Sequence, residues 1–443
     1  MTARTVGRRW SRRVLGPLSR LTTRGRAVLA AGLTATACSL VLGQRDLLRV
    51  GVLLALVPVL TTVVLGRARY RLACARSISP QRVEMGRPAQ VTLDVSNVSG
   101  SRCGLVLAEE QVPYTLGSRP RFVLPGLEPG ERRSVSYQLR SDVRGRFLVG
   151  PLSLRLTDPF GMGEHRRSFT THDELIVIPR VTALAPVPLA GDWTGSGDTR
   201  PRAVAASGED DVTTREYRQG DDLRRVHWRS TARRGELMVR REEQPWQSRA
   251  TLLLDRRRGA HRGDGPTSTF EWAVAAIASV AVHLAGRGYA VRLVDGSPGQ
   301  ESLPNPWSHD TTGLGEASSS GVLDALATVS PAGAIELQRA AHAAARTATG
   351  GLLVAALGEL TAEDSLLLAG LHQPGTHCVA LVADTTGAIG DPTRRGPVVA
   401  RQQAQVERLR ASGWDVVVAH HQEPIDVTWR RVGAGRLVPG GAR

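Results

Sequence analysis

The chain reads as a multidomain protein: an N-terminal transmembrane helical hairpin, an antiparallel β sandwich, then a Rossmann-type α/β domain. Three observations predict this order. Two long apolar runs stand side by side near the N-terminus. Period-two alternation broken by Gly, Pro, Asn and Ser follows, up to about residue 181. From residue 250 onward, short apolar runs alternate with stretches of helical periodicity.

Residues 1–26 form a basic tail. Residues 27–43 (AVLAAGLTATACSLVLG) carry no charge, and residues 47–65 carry only Arg49. Each run approaches the roughly 20 residues an α-helix needs to cross a bilayer core. Residues 27–66 are therefore expected to contact lipid as a two-helix hairpin, with Gln44, Arg45 and Asp46 in its turn. Arg49 lies close enough to its helix end to snorkel, and Pro58 is tolerable inside a membrane helix. A cleaved signal peptide fits poorly, because a second apolar run follows at once. Arg4, Arg8, Arg9, Arg12, Arg13, Arg20, Arg24 and Arg26 precede the first run, and Arg67, Arg69, Arg71 and Arg76 follow the second. Arginine on both flanks places both in the cytoplasm. The expected location is the cell membrane, multi-pass, with both termini cytoplasmic.

The same charges argue against nucleic acid. Residues 1–76 hold 14 arginines and one acid, so only +3 of the net charge of +16 belongs to residues 77–443. A nucleic-acid-binding domain carries its excess on the folded body. Lysine is absent throughout, which points to coding bias rather than to a mechanism that needs arginine. Cys38, Cys74, Cys103 and Cys378 are scattered, without C-x-x-C spacing or a nearby histidine, so no metal site is expected from them.

Residues 71–181 are expected to form the sandwich. Val91, Leu93 and Val95 alternate with polar residues, as do Val135, Tyr137 and Leu139, and Leu152, Leu154 and Leu156. Residues 158–161, from Asp158 to Gly161, read as a turn with Phe160 as an aromatic plug. No catalytic set is visible there, so a spacer or binding role is expected. Residues 182–249 join the domains and include a loop-like stretch, 182–211.

In the last domain, 250–435, ATLLLD (250–255) reads as the first strand. Phe270, Val274, Ile277, Val280 and Leu284 mark a helix over 268–286. Further strands are expected at 290–295, 351–357, 377–384 and 415–420. Helices are expected at 321–328, 334–347, 362–371 and 398–411. Ligands of such parallel sheets bind beyond the C-terminal strand ends, where Asp255 and Asp384 fall. This arrangement resembles a von Willebrand factor A-type domain, whose metal-binding members carry D-x-S-x-S after the first strand. Here the stretch is Asp255, Arg256, Arg257, Arg258, Gly259. Neither serine is present, so Asp255 marks a degenerate metal-site position and no metal is expected.

REYRQGDDLRRVHWRSTARRGELMVRREEQ runs from Arg215 to Gln244 with nine arginines and six acids. It contains Arg215, Glu216, Tyr217, Gly220, Asp221, Asp222, Arg224, Val226, Trp228, Ala232 and Arg233 at the spacing R-E-Y-x-x-G-D-D-x-R-x-[VI]-x-W-x-x-[ST]-A-R. With the hairpin, the sandwich and the A-like end, this resembles the domain of unknown function 58 family of MoxR-associated membrane proteins. The resemblance implies association with a MoxR-type AAA+ ATPase and no established catalysis. Physically, Asp222 suits the cap of a helix beginning near Leu223. Leu223, Val226 and Trp228 are expected to face inward, and Gly235 to end the helix. Dense mixed charge reads as an intramolecular strap, or as a face that docks a partner, for which Arg and Trp are favoured anchors. The expected function is a membrane-anchored, cytoplasm-facing adaptor, not an enzyme and without cofactors. The alternative is a membrane-bound hydrolase using Asp221, Asp222 and His227. Trp193, Trp246, Trp272, Trp307, Trp414 and Trp429 read as core or loop anchors, and His420, His421 and Glu423 as a turn.

Overall fold

The computed structural model describes residues 21–67, 71–158, 160–187, 214–216, 228–240, 248–298, 316–348, 350–387, 392–420 and 423–432. The chain divides into two compact units. The first is Met1–Val181 with Leu323–Ser330, and the second is Thr182–Val322 with Pro331–Arg443.

The first unit opens with α1 (Thr23–Leu42) and α2 (Arg45–Arg67), both long and apolar enough to cross a membrane. Thr22 caps α1 by accepting from the Gly25 N–H, and Gly43 closes it in the left-handed region at φ 65°. Glycines let the two helices approach closely. A Cβ on Gly32 would stand 2.5 Å from the Ala55 nitrogen, and one on Gly51 2.7 Å from the Thr36 nitrogen.

Ten strands follow: β1 (Leu72–Ser79), β2 (Arg82–Glu84), β3 (Pro88–Asn97), β4 (Val106–Glu110), β5 (Arg121–Leu124), β6 (Arg132–Arg140), β7 (Gly145–Val149), β8 (Leu152–Thr157), β9 (Glu164–Phe169) and β10 (Asp173–Ile178). They form sheets ordered β1-β3-β6, β5-β4-β8-β9 and β2-β10-β7. The sandwich is not wholly antiparallel, because β2 pairs parallel with β10. The expected inward residues are found inward. Leu93 and Val95 join Leu72, Leu154 and Leu156 in one core, while Ala89 and Val91 join Ile78, Leu139 and Leu175 in another. Period two keeps all four β3 side chains on one face, so β3 spans both cores.

Between these cores lies a polar node that the sequence did not disclose. Arg76 is inside the sandwich, where it pairs with Glu110 and with Asp173 at 2.7 Å and donates to the Val149 carbonyl. Tyr137 donates to Glu110. Burial raises the Tyr137 pKa, and its bond to Glu110 adds to the rise. Arg76 is thus a sandwich residue rather than a flank charge, a correction to the membrane reading above. Arg76 lies on the strand face it shares with Leu72, Cys74 and Ile78.

The second unit carries β11 (Thr214–Glu216), α3 (Trp228–Arg234), β12 (Met238–Arg240), β13 (Arg249–Leu254), α4 (Thr269–Ala285) and β14 (Ala290–Val294). After α5 (Glu316–Thr328), which contributes to both units, come α6 (Ile335–Thr347), β15 (Leu352–Leu357), α7 (Ala362–Ala369), β16 (His377–Val382), α8 (Pro392–Ala411), β17 (Asp415–Val418) and α9 (Ile425–Arg430). Five strands form an entirely parallel sheet ordered β14-β13-β15-β16-β17. Leu253, Val294, Leu353 and Ala355 face α6, α7 and α8 across one core. Helix α4 contacts β13, β14 and β15. Its Phe270, Val274, Ile277, Val280 and Leu284 are all buried, as their spacing predicts. Helix α8 begins six residues before the expected 398, because Pro392 supplies a first turn that needs no N–H.

Three tryptophans of the α/β unit are anchors. Trp272, Trp414 and Trp429 donate their indole N–H groups to the carbonyls of Glu423, Leu368 and Ala185. Glu423 accepts from the His420 N–H and from the Thr428 hydroxyl, which makes that turn structural.

Candidate functional site at the switch point of the parallel sheet

Counted from β13, the strand order is 2-1-3-4-5. The chain moves to one side of β13 and then to the other, so the C-terminal ends of β13 and β15 flank a topological switch point. Open α/β sheets bind ligands at such points. Asp255 follows β13 directly and is fully buried, and Asp384 follows β16.

Asp255 is held by four donors. Its Oδ1 accepts from the Arg257 backbone N–H at 3.1 Å and from Arg257 Nε at 2.9 Å. Its Oδ2 accepts from Arg257 Nη2 at 2.9 Å and from the Gly358 N–H at 3.3 Å. An ionised carboxylate offers about four lone-pair sites, and all four are engaged. Arg257 continues outward, donating Nη1 to Asp364 at 2.6 Å and Nη2 to the Glu359 carbonyl at 3.3 Å. This forked pairing is the strong kind. Burial pulls the Arg257 pKa down, but Asp255 and Asp364 outweigh it and hold the guanidinium above the ordinary arginine value. Asp364 completes a capping box with Thr361 at the start of α7. Burial alone would raise its pKa, yet Thr361 and Arg257 hold it below the usual carboxylate range.

A divalent cation does not fit this set. It would have to displace a guanidinium that already neutralises Asp255 and fills its oxygens. Among the described residues, no group of three His, Cys, Asp or Glu side chains could hold a metal ion. Asp384 spends Oδ1 on the N–H and hydroxyl of Thr386.

The rim is basic. Arg256 pairs with Asp295 at 3.2 Å and donates to Ser297 at 2.6 Å, Arg262 pairs with Glu359 at 2.8 Å, and Arg258 is exposed. His261 sits below, with Nε2 2.8 Å from the Asp255 carbonyl and its ring edge-on to Phe270. Burial lowers its pKa against the pull of Asp255.

The signature is described in part. Arg215 and Glu216 lie in β11, which pairs antiparallel with β12 and sets Arg215 opposite Val239 and Glu216 opposite Met238. Tyr217, Gly220, Asp221, Asp222, Arg224, Val226 and His227 lie outside the described residues. The described helix α3 starts at Trp228 and ends where Gly235, at φ 78°, donates to the Thr231 carbonyl. The Thr231 hydroxyl also accepts from the Met238 N–H at 3.0 Å, which ties α3 to β12. Contrary to the expectation, Trp228 points outward and is 70% exposed. It occupies the first position of a seven-residue helix, too short to bury a full face. Arg233 is exposed. The sequence marked Asp255 from its place after an apolar run, but it missed Arg257 as that residue's partner and Asp364 as the third member.

Residues 213–362 match the family model described as protein of unknown function DUF58. That span holds the signature, β13, Asp255, Arg257 and Gly358, and stops two residues before Asp364. No curated protein matches the chain. Among solved structures, the CARDB domain of a Pyrococcus furiosus protein is 13% identical, covering 25% of this chain and 89% of that one at TM-score 0.20. The putative ApaA protein from Bordetella pertussis is 12% identical, covering 24% and 94% at TM-score 0.20. A β-glucosidase from Erythrobacter marinus is 15% identical, covering 22% and 15% at TM-score 0.16. Likenesses at this level carry no argument about fold or function.

Proposed function

We propose that this protein is a membrane-anchored, cytoplasm-facing adaptor that docks a protein partner, a MoxR-type AAA+ ATPase, through its signature segment. The observation that carries the proposal is Trp228. An indole exposed to this degree, on a helix fixed to β12 by Thr231, suits an interface anchor far better than a core residue. The match of residues 213–362 to the DUF58 model supports the family resemblance from which the ATPase is inferred. The saturation of Asp255 supports a second unit that works without a divalent cation at that position. The second unit is proposed as von Willebrand A-like, supported by an acid directly after the first strand of a parallel sheet. Residues 27–66 cross the bilayer in this reading, and their arginine-rich flanks put both termini in the cytoplasm.

Binding between the purified full-length protein and a MoxR-type ATPase from the same cell tests this. Trp228→Ala is expected to weaken it by more than about 2 kcal/mol, as truncation of a hot-spot residue does. Unchanged affinity for that variant would remove the signature as the docking face.

A further inference from the structure

We propose that the helix-proximal rim of the sandwich is a lipid-contacting surface, at which Phe160, Val98 and Leu105 enter the bilayer interface beside the membrane helices. This rests on the reading of α1 and α2 as membrane spans and concerns the first unit alone. Strand register fixes which end of the sandwich the helices meet. Strand β1 begins at Leu72, close after α2 ends at Arg67, and Leu72 pairs with Asn97 at the end of β3. The turn after β3 therefore lies at that end, and the Val98 N–H donates to the Arg71 carbonyl at 2.8 Å. Strand β8 ends at Thr157, whose N–H donates to the Leu105 carbonyl at 3.3 Å.

The turn from β8 to β9 is fastened to the start of α1. The Thr22 N–H donates to the Met162 carbonyl at 2.9 Å and the Thr22 hydroxyl to the Gly161 carbonyl at 2.6 Å. Leu21 bridges Gly163, and a Cβ on Gly25 would collide with the Met162 oxygen. The β3–β4 connection and the β8–β9 turn thus gather where one helix enters the bilayer and the other leaves it.

Both connections expose apolar side chains, Val98 and Leu105 in the first and Phe160 in the second. Phe160 is 66% exposed, Val98 59% and Leu105 49%. Phe160 is therefore not the plug its sequence suggests but is held out by a built turn: Asp158 accepts from the Phe160 N–H at 3.3 Å and from the Gly163 N–H at 2.6 Å. Apolar side chains clustered at the base of a membrane anchor, beside Arg24 and Arg26 in the first turns of α1, match the layered chemistry of the interface. Acyl chains take the apolar groups, and lipid phosphates take the guanidiniums. A soluble partner offers no such continuity with the helices.

Spin labels on the full-length protein test the proposal. The background carries Cys38→Ser and Cys74→Ser, since Cys103 and Cys378 are buried. Single labels go on Phe160→Cys, Val98→Cys, Leu56→Cys in α2, and Tyr114→Cys, which lies at the opposite end of the sandwich. The protein is reconstituted into phosphatidylcholine and phosphatidylglycerol vesicles, and collision with oxygen is compared with collision with a water-soluble nickel chelate. The labels at 160 and 98 are expected to favour oxygen severalfold over the label at 114. A lipid-like label at 56 with labels at 160 and 98 as wet as that at 114 overturns the lipid rim and leaves the spans standing. A wet label at 56 overturns the spans and the rim with them. If Phe160→Cys does not fold, Val98→Cys decides alone.

Discussion

Arg257 shows how one residue settles what a site can do. Its guanidinium stands where a cation would have to stand, and it joins Asp255 to Asp364 across the switch point. Removing it leaves a fully buried carboxylate with its charge uncompensated. Breaking a buried pair in this way costs about 3–5 kcal/mol. Arg257→Met is therefore expected to destabilise the second unit by that amount. Buried Trp414 and Trp429 report that unit's unfolding by their fluorescence. The double variant Asp255→Leu with Arg257→Met is expected to recover most of the loss, because the pair leaves together. A second prediction concerns His261. Its folded pKa lies below the ordinary value of about 6.5, so the unfolded chain takes a proton first as pH falls. Its contribution is full above about pH 6.5 and is lost as pH drops from there through the folded pKa. Unfolding midpoints measured from neutral to acid pH should show that slope, and His261→Gln should flatten it. His283, also lowered by burial, contributes to the slope that remains. At this scale the sequence was legible where chemistry is local. Asp255 stood out because an acid closed an apolar run. The Arg76 node did not, because Glu110, Tyr137 and Asp173 are brought to it by strand pairing, the last from 97 residues away.

Elements were legible wherever one face is apolar. Helix α4 follows its five spaced apolar residues, and β3 and β8 follow their alternation. What alternation could not supply was the partner of each strand. It does not distinguish the parallel β2–β10 pair from an antiparallel one, nor one core from two, since β3 looks the same in either case. Trp228 was misplaced because a helical pattern over 223–234 implies a buried stripe, whereas the described helix begins only at 228. The hairpin gives a prediction at this scale. Gly32 meets the α2 backbone so closely that any larger side chain must push the helices apart. Gly32→Val is expected to abolish the close approach. Disulfide crosslinking between cysteines placed on the facing sides of α1 and α2, compared with Gly and with Val at this position, reads the separation. An unchanged crosslinking rate would contradict the packing.

The whole molecule places an exposed Trp228 and an α/β unit whose buried Asp255 is held by Arg257 on one chain with two apolar helices. An adaptor needs that combination: an anchor, a rigid body, and a face whose recognition does not wait on a metal. Because Arg257 supplies the positive charge internally, partner binding is expected to be indifferent to EDTA and to added Mg²⁺. Binding isotherms with and without chelator check this, and a large loss with EDTA in the absence of nucleotide would contradict it. The central claim is tested most directly by affinity capture of the full-length protein from its native membrane, with and without a non-hydrolysable ATP analogue, followed by mass spectrometry. The adaptor account predicts recovery of a MoxR-type AAA+ ATPase that depends on nucleotide and falls with Trp228→Ala. Recovery of no such ATPase by the folded protein would contradict it.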